Sequence, residues 1–469
     1  MSDSNEFFDK EELDAIIERF KLSVEKNEPE YFESEELIAV SNYFLEQNNL
    51  PLAKKAIDLA NEIYTDNEEV LILKISYNVA SSNLNEAEKI AYDYIGTHPD
   101  TVDVRLILSS VLKSSGKFDE ALDILKEAKN IDPDSPAVFT AFGLLYQAFG
   151  HYEKSNSYLK KALSINSDDI SVFNVIITNY QISDKIEEGI EYLKGFIEEN
   201  PFNKHAWCSL AFAYTFIDES EKAIEAYDYA LAIDPSYTNA LFAKGNTYYV
   251  DGDYENASKC FIETVNDPEY ESLSYYFLGD INLRDNKTGL AADYFQKSIE
   301  KRPIQFQAYI GLTICLQMMG LFNDALRIIE DAERNHPKRS EIHHIKGTVL
   351  MDLERYNDAV KTLRQAVRLE SDNEDVWLDL SEATYYESGI NEAFKILDEA
   401  EEMFDEENAM IVYRKAAFLF EEGKNQKAVS QLLRGLSIDA EMYTSIYSFN
   451  QDLEKNEIIQ EIVTMFLNQ

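Results

Sequence analysis

"AIDPSY" occupies residues 232–237, and "NIDPDS" occupies residues 130–135. The two turns set Pro133 and Pro235 102 residues apart, three times 34. Six of the ten prolines, Pro99, Pro133, Pro201, Pro235, Pro303 and Pro337, differ only by 34 or 68. Small residues keep the same ruler: Ala53, Ala87, Ala121, Ser155, Gly189, Ala223, Ala257, Ala291, Ala325, Ala359 and Ala393. Trp207 and Trp377 stand five such steps apart, and Gly143, Gly245, Gly279 and Gly347 share one phase. Four residue types held in register this far mark an internal repeat rather than chance.

Units begin at 34, 68, 102, 136, 170, 204, 238, 272, 306, 340, 374 and 409, twelve in all, and the array ends at 442. One register slip is needed, near "EEMFDEEN" at 401–408, after which Ala428 stands 35 beyond Ala393. Inside the unit 204–237, Trp207, Leu210, Ala211 and Tyr214 recur at helical spacing, and Ala223, Tyr227 and Ala230 do so again. Two short amphipathic helices follow from that spacing. Ala211 and Ala223 let them approach closely, with Trp207, Tyr214 and Tyr227 expected to fill the space around them. Proline at the place of Pro235 cannot continue the second helix, and Gly116, Gly150, Gly252 and Gly320 are expected to turn the chain between helices.

The pattern Trp207, Leu210, Ala211, Tyr214, Ala223, Tyr227, Ala230, Pro235 resembles the tetratricopeptide repeat, with Ala211 in place of the usual glycine and Tyr227 in place of the usual Phe. Units 102, 136, 238 and 340 fit it well, and units 170, 374 and 409 fit less well. The resemblance implies an all-α, right-handed superhelical solenoid of antiparallel helix pairs. The expected division is a capping helix within 1–33, carried by Leu13, Ile16, Ile17, Phe20 and Val24, the repeats over 34–442, and degenerate capping helices over 443–469. In the last segment Ile458, Ile462, Val463 and Phe466 are expected to face the final repeat.

Lys and Arg number 43 against 87 Asp and Glu, a net charge of −44. Such a surface repels phosphate, which argues against nucleic acid and anionic membrane and favours a basic partner. Three widely spaced cysteines, Cys208, Cys260 and Cys315, read as reduced thiols of a cytoplasmic protein. The acidic N-terminus lacks a secretory pattern, and no apolar run is long enough for a membrane span.

Where tetratricopeptide proteins bind peptides, the resemblance places the ligand along the concave wall, at the second, fifth, ninth, twelfth and thirteenth places of the repeats. None of the fifth places is basic here, so a carboxylate clamp of the co-chaperone kind is not expected. From unit 136 to unit 238 none of these places carries a charge, in a chain that is 28% charged. Asn174, Thr178, Gln181, His205, Phe212, Asn239, Phe242, Asn246, Tyr249 and Tyr276 would then form an extended peptide track of amides, hydroxyls and aromatic faces. The competing reading is that packing between neighbouring repeats alone excludes charge from the wall.

His205 and Cys208 lie three apart on one helix, but two ligands make no metal site. Asp280 and Arg284 read as a helix-surface ion pair. There is no phosphate loop, HExxH or GxSxG, and the segments flanking the repeats are too short for a catalytic domain. The reading is therefore a non-catalytic interaction scaffold without cofactor or metal, binding a protein or peptide in its groove. Self-association into homo-oligomers is the alternative.

Overall fold

The computed structural model describes residues 8, 10–26, 30–65, 67–303, 305–404 and 408–467. Parts of the N-terminal segment 1–33 and of the slip at 401–408 lie outside them. The described residues form 26 α-helices and two 3-10 helices, with no strand. They fall into two compact halves, Met1–Ala240 and Leu241–Gln469.

Most repeats read as a first helix of about 13 residues, a three-residue turn and a second helix of 14 residues. In unit 204, Asn203 caps the helix Lys204–Thr215 by accepting from the Ala206 N–H at 2.8 Å. The helix Ser220–Ile233 follows, and Asp234 then folds its carboxylate onto the Ser236 N–H at 3.0 Å. Pro235 lies in this linker, where its missing N–H costs nothing.

Every member of the small-residue ruler is buried. Ala53, Ala87, Ala121, Ser155, Ala223, Ala257, Ala291, Ala325, Ala359, Ala393 and Ala428 each have no exposed surface, and Gly189 is buried with them. The shared glycine phase marks the opposite side of the same contact. A Cβ on Gly347 would stand 2.5 Å from Leu363, and one on Gly279 would stand 2.8 Å from Phe295. Of the three rings expected around Ala211 and Ala223, Tyr227 is buried, while Trp207 and Tyr214 are half-buried and line an open cleft.

A second ruler, of which the sequence showed only the glycines, sets the turns. Gly116, Gly150, Gly252 and Gly320 have φ of 74, 76, 79 and 71°. On the same 34-residue spacing, Asn48, Ser82, Asp184, Asp218, Asn286 and Glu354 take φ between 52 and 59°. The left-handed residue lets the next N–H reach back five residues along the chain, as Lys117 does to the Leu112 carbonyl at 2.9 Å and Arg355 to the Leu350 carbonyl at 2.8 Å. The turn geometry is thus held even where a side chain makes it cost more.

Two places break the pattern. The second helix of unit 238 stops early, as Tyr254–Thr264, and the Thr264 hydroxyl sits 2.6 Å from that of Ser274 in the following helix. The helix Ala409–Glu421 begins one residue late, which puts the slip in the linker after Met403.

At one end the helix Lys10–Lys26 buries Ile16, Ile17 and Phe20, with the Phe20 ring 5.7 Å from Phe32 and 5.9 Å from Phe44. At the other, two 3-10 helices lead into Glu457–Leu467, which packs Ile459 and Val463 most deeply and Ile458, Ile462 and Phe466 beside them. Ile459 was missed because its neighbour Ile458 fits the apolar stripe equally well.

Gly347→Ala is expected to destabilise the protein by about 1–3 kcal/mol, since Leu363 is fully buried and has nowhere to retreat. Gly195→Ala, in a helix interior with nothing within 4 Å of the new Cβ, should stabilise by about 0.5–1 kcal/mol. Urea denaturation of the two variants checks both signs.

Candidate functional site

Six of the ten track residues lie in the N-terminal half. Asn174, Thr178 and Gln181 stand on the helix Ile170–Ile182, His205 and Phe212 on Lys204–Thr215, and Asn239 at the start of Thr238–Val250. Their polar atoms separate into two layers. In the deeper layer they bond to the next repeat. The Ser209 hydroxyl donates to Asn174 Oδ1 at 3.1 Å, the Cys208 thiol donates to Asn239 Oδ1 at 3.2 Å, and His205 Nδ1 meets the Tyr237 hydroxyl at 2.9 Å. In the outer layer Gln181 is exposed, Thr178 is half-buried, and Phe212 packs edge-on against Phe216 with centroids 4.7 Å apart. Phe216 and Ile182, at the thirteenth places of their repeats, are 37% and 53% exposed.

The C-terminal half holds Phe242, Asn246, Tyr249 and Tyr276. Phe242 sits among Phe261, Tyr270 and Phe277, with centroids 5.5, 4.8 and 5.9 Å away. Tyr276 packs against Phe277 and Phe295. The Tyr249 hydroxyl donates to Asp280 Oδ2 at 2.6 Å, and Arg284 donates to the same oxygen at 2.5 Å and approaches the Tyr249 hydroxyl at 3.3 Å. Only Asn246 of these four is exposed. The uncharged stretch therefore ends at Tyr249, where the ninth and thirteenth places of unit 272 bring in a carboxylate and a guanidinium. The pair read as an isolated surface contact is a three-residue link between repeats.

Equivalent links recur further along. Gln317 Nε2 donates to Asp352 Oδ2 at 2.6 Å, and His344 Nε2 lies 2.8 Å from Asp379 Oδ2. His343, next to it in sequence, points elsewhere and meets the Pro337 carbonyl at 2.9 Å. Sequence reasoning missed this ladder, although complementary donors and acceptors spaced about one repeat apart are its signal.

Burial sets the ionisation of the site. It pushes the Cys208 thiol up to about 12, and with help from Asp280 it pushes the Tyr249 phenol up to about 12 as well. The His205 imidazole is moved the other way, chiefly by burial and then by the neighbouring Lys204. Among the described residues no three His, Cys, Asp or Glu side chains gather as metal ligands.

Family models described as tetratricopeptide repeat match residues 102–135, 137–169, 204–237 and 340–373, and a second such model matches 242–303. The chain carries tetratricopeptide repeats. It is 23% identical over 256 residues to the TPR repeat-containing protein YpiA of Bacillus subtilis (strain 168), covering 53% of this chain and 59% of that one. Tetratricopeptide repeat protein 6 of Homo sapiens is 29% identical over 161 residues, covering 32% of this chain and 31% of its own. The chain thus spans less than two thirds of the length of these relatives. Among solved structures, the APC/C hetero-tetramer Cut9–Hcn1 aligns with 87% of this chain and 94% of its own at 12% identity and a TM-score of 0.42. That score is too low for one array to stand in for the other.

In this tetratricopeptide array the lowered His205 basicity has a sign that can be measured. The unfolded chain, with an ordinary imidazole near 6.5, binds the proton more tightly than the folded one. Stability from this group is fully present above that value and is lost as pH falls below it. The urea midpoint should drop between about pH 7.5 and pH 5, and the drop should be smaller in His205→Asn. Equal slopes in the two proteins would remove His205 from the account.

Proposed function

We propose that this protein is a non-catalytic, cytoplasmic interaction scaffold that binds an extended segment of a partner protein along the first helices of its repeats. The observation that carries this reading is the outer layer of the N-terminal half. Gln181, Ile182, Phe212 and Phe216 remain accessible there, above side chains already committed to joining the repeats. Exposed aromatic and aliphatic groups supply contact area, and an amide such as Gln181 can both donate to and accept from a peptide backbone. Because the layer beneath is hydrogen-bonded, little ordering is left to offset on binding.

The track is accordingly narrower than the ten residues suggested by sequence. Gln181, Thr178 and Phe212, joined by Ile182 and Phe216, are the contact candidates in this half. Asn174, His205 and Asn239 serve to position them. The net charge of −44 favours a basic segment by long-range attraction, an effect that weakens with salt. Among the described residues no helix is long and apolar enough to cross a membrane.

A display library of extended, positively charged peptides tests this reading. For the best binder, Phe212→Ala with Gln181→Ala should weaken affinity tenfold or more, about 1.4 kcal/mol, without moving the melting temperature. Asn174→Ala should do the reverse, lowering stability first. Unchanged affinity in the Phe212 and Gln181 variant would place binding elsewhere.

A further inference from the structure

In the N-terminal half, the helices Ile186–Glu199, Lys204–Thr215 and Ser220–Ile233 together line a cleft of about 430 Å³. Its wall carries the stacked rings of Trp207 and Tyr229, with centroids 4.4 Å and planes 24° apart. The indole is fixed in place, because its Nε1–H donates to the Pro201 carbonyl at 2.9 Å. Trp207 and Tyr229 occupy the fourth and twenty-sixth places of the repeat. In three other repeats these places answer each other with complementary groups. Arg105 pairs with Glu127 at 3.3 Å, Lys297 lies 5.6 Å over the Tyr275 ring, and His343 meets Gln365 at 3.2 Å. In unit 204 both members are aromatic and stack on each other, so neither place supplies a cation to the pair and its outer faces remain at the cleft.

The charges around the cleft are unevenly committed. Lys194 is held by Glu191 at 3.3 Å and Lys222 by Glu219 at 3.0 Å, with Lys222 also 5.9 Å from the Tyr214 ring. Glu198 and Glu225 line the same cleft, are exposed, and make no ion pair among the described residues. The wall therefore offers flat aromatic surface together with two available carboxylates.

We propose that this cleft receives an arginine side chain of a partner segment, its guanidinium stacked on the outer face of the Trp207–Tyr229 pair and its N–H groups donating to Glu198 and Glu225. A planar, weakly hydrated cation matches that combination better than an ammonium does, since it can stack and pair with a carboxylate at once. The site shares no residue with the row around Phe212, so either one can fail without the other.

The chain's two tryptophans are Trp207 and Trp377, and Trp377 is buried, so intrinsic fluorescence reports the cleft. The full chain would be titrated with end-blocked Gly-Arg-Gly and with its lysine and citrulline counterparts. The arginine peptide should give a saturable change in emission that is absent from Trp207→Phe. The lysine peptide should bind at least fivefold more weakly, and the isosteric but uncharged citrulline peptide should give no change. Glu198→Gln with Glu225→Gln, both at exposed positions, should weaken the arginine peptide at least tenfold. A control pair, Asp119→Asn with Asp123→Asn, should leave its affinity unaltered, and circular dichroism would check the fold of each variant. An equal response to citrulline, or an equal loss in the control pair, would sink the proposal. The first result would mean apolar adsorption, and the second would mean attraction to the acidic chain as a whole.

Discussion

The close contact between the two helices of each repeat governs the rest of the structure. It requires a residue no larger than alanine or serine where the second helix crosses the first, and every residue at that place is buried. On the facing side, glycine is used where a large side chain such as Phe295 or Leu363 must enter. Once this separation is fixed, the turn has little freedom. It must reverse the chain within three residues, which demands a left-handed residue at one place. Glycine meets that demand at least cost, yet Asn, Ser, Asp and even Glu accept it when the helices on both sides are already committed. Helix length, turn and linker then add up to the period.

Hydrogen bonds decide how one repeat sits on the next within each half. Apolar surfaces alone would tolerate sliding, whereas a donor and acceptor about 35 residues apart meet in only one register. The bond from Ser209 to Asn174 does this in the N-terminal half, and those from Gln317 to Asp352 and between His344 and Asp379 do it in the C-terminal half. A related device ties the linker before three of the repeats to the first helix. Trp207, His343 and Trp377 each present a ring nitrogen to a carbonyl six residues earlier. Most ion pairs, by contrast, are exposed and contribute little. Arg414 and Lys415 are exceptions, buried cations answered by Glu382, Asp398 and Glu401.

The helix pairs were legible in the sequence because small residues and prolines leave a periodic mark that no later packing event erases. The phase of the turns was only half legible. Gly116 and Gly320 announce a left-handed turn, but Glu354 does not, since its conformation is imposed by the helices it joins. The candidate site was least legible. Place in the repeat gives the face on which a side chain lies, but not whether its polar atoms are already engaged. Asn174 and Gln181 look alike in sequence, yet one is held by Ser209 and the other is exposed. Trp207 was expected to fill the space around Ala211 and Ala223, and its partner at Tyr229 becomes apparent only when the 22-residue spacing within the repeat is followed.

That last point bears on where repeat arrays acquire function. A repeat that satisfies each of its own places offers nothing to a partner, because its donors, acceptors and ring faces are spent on its neighbours. Recognition becomes available where internal pairing is withheld at positions the scaffold still holds rigidly. In unit 204 the fourth and twenty-sixth places supply two rings with no charge between them, while Pro201, Tyr237 and Asn239 fix the surrounding helix by hydrogen bonds. Rigidity and vacancy in the same repeat are what preorganised binding requires. The departures from the repeat pattern, rather than the places that obey it, are therefore the physically informative ones for function.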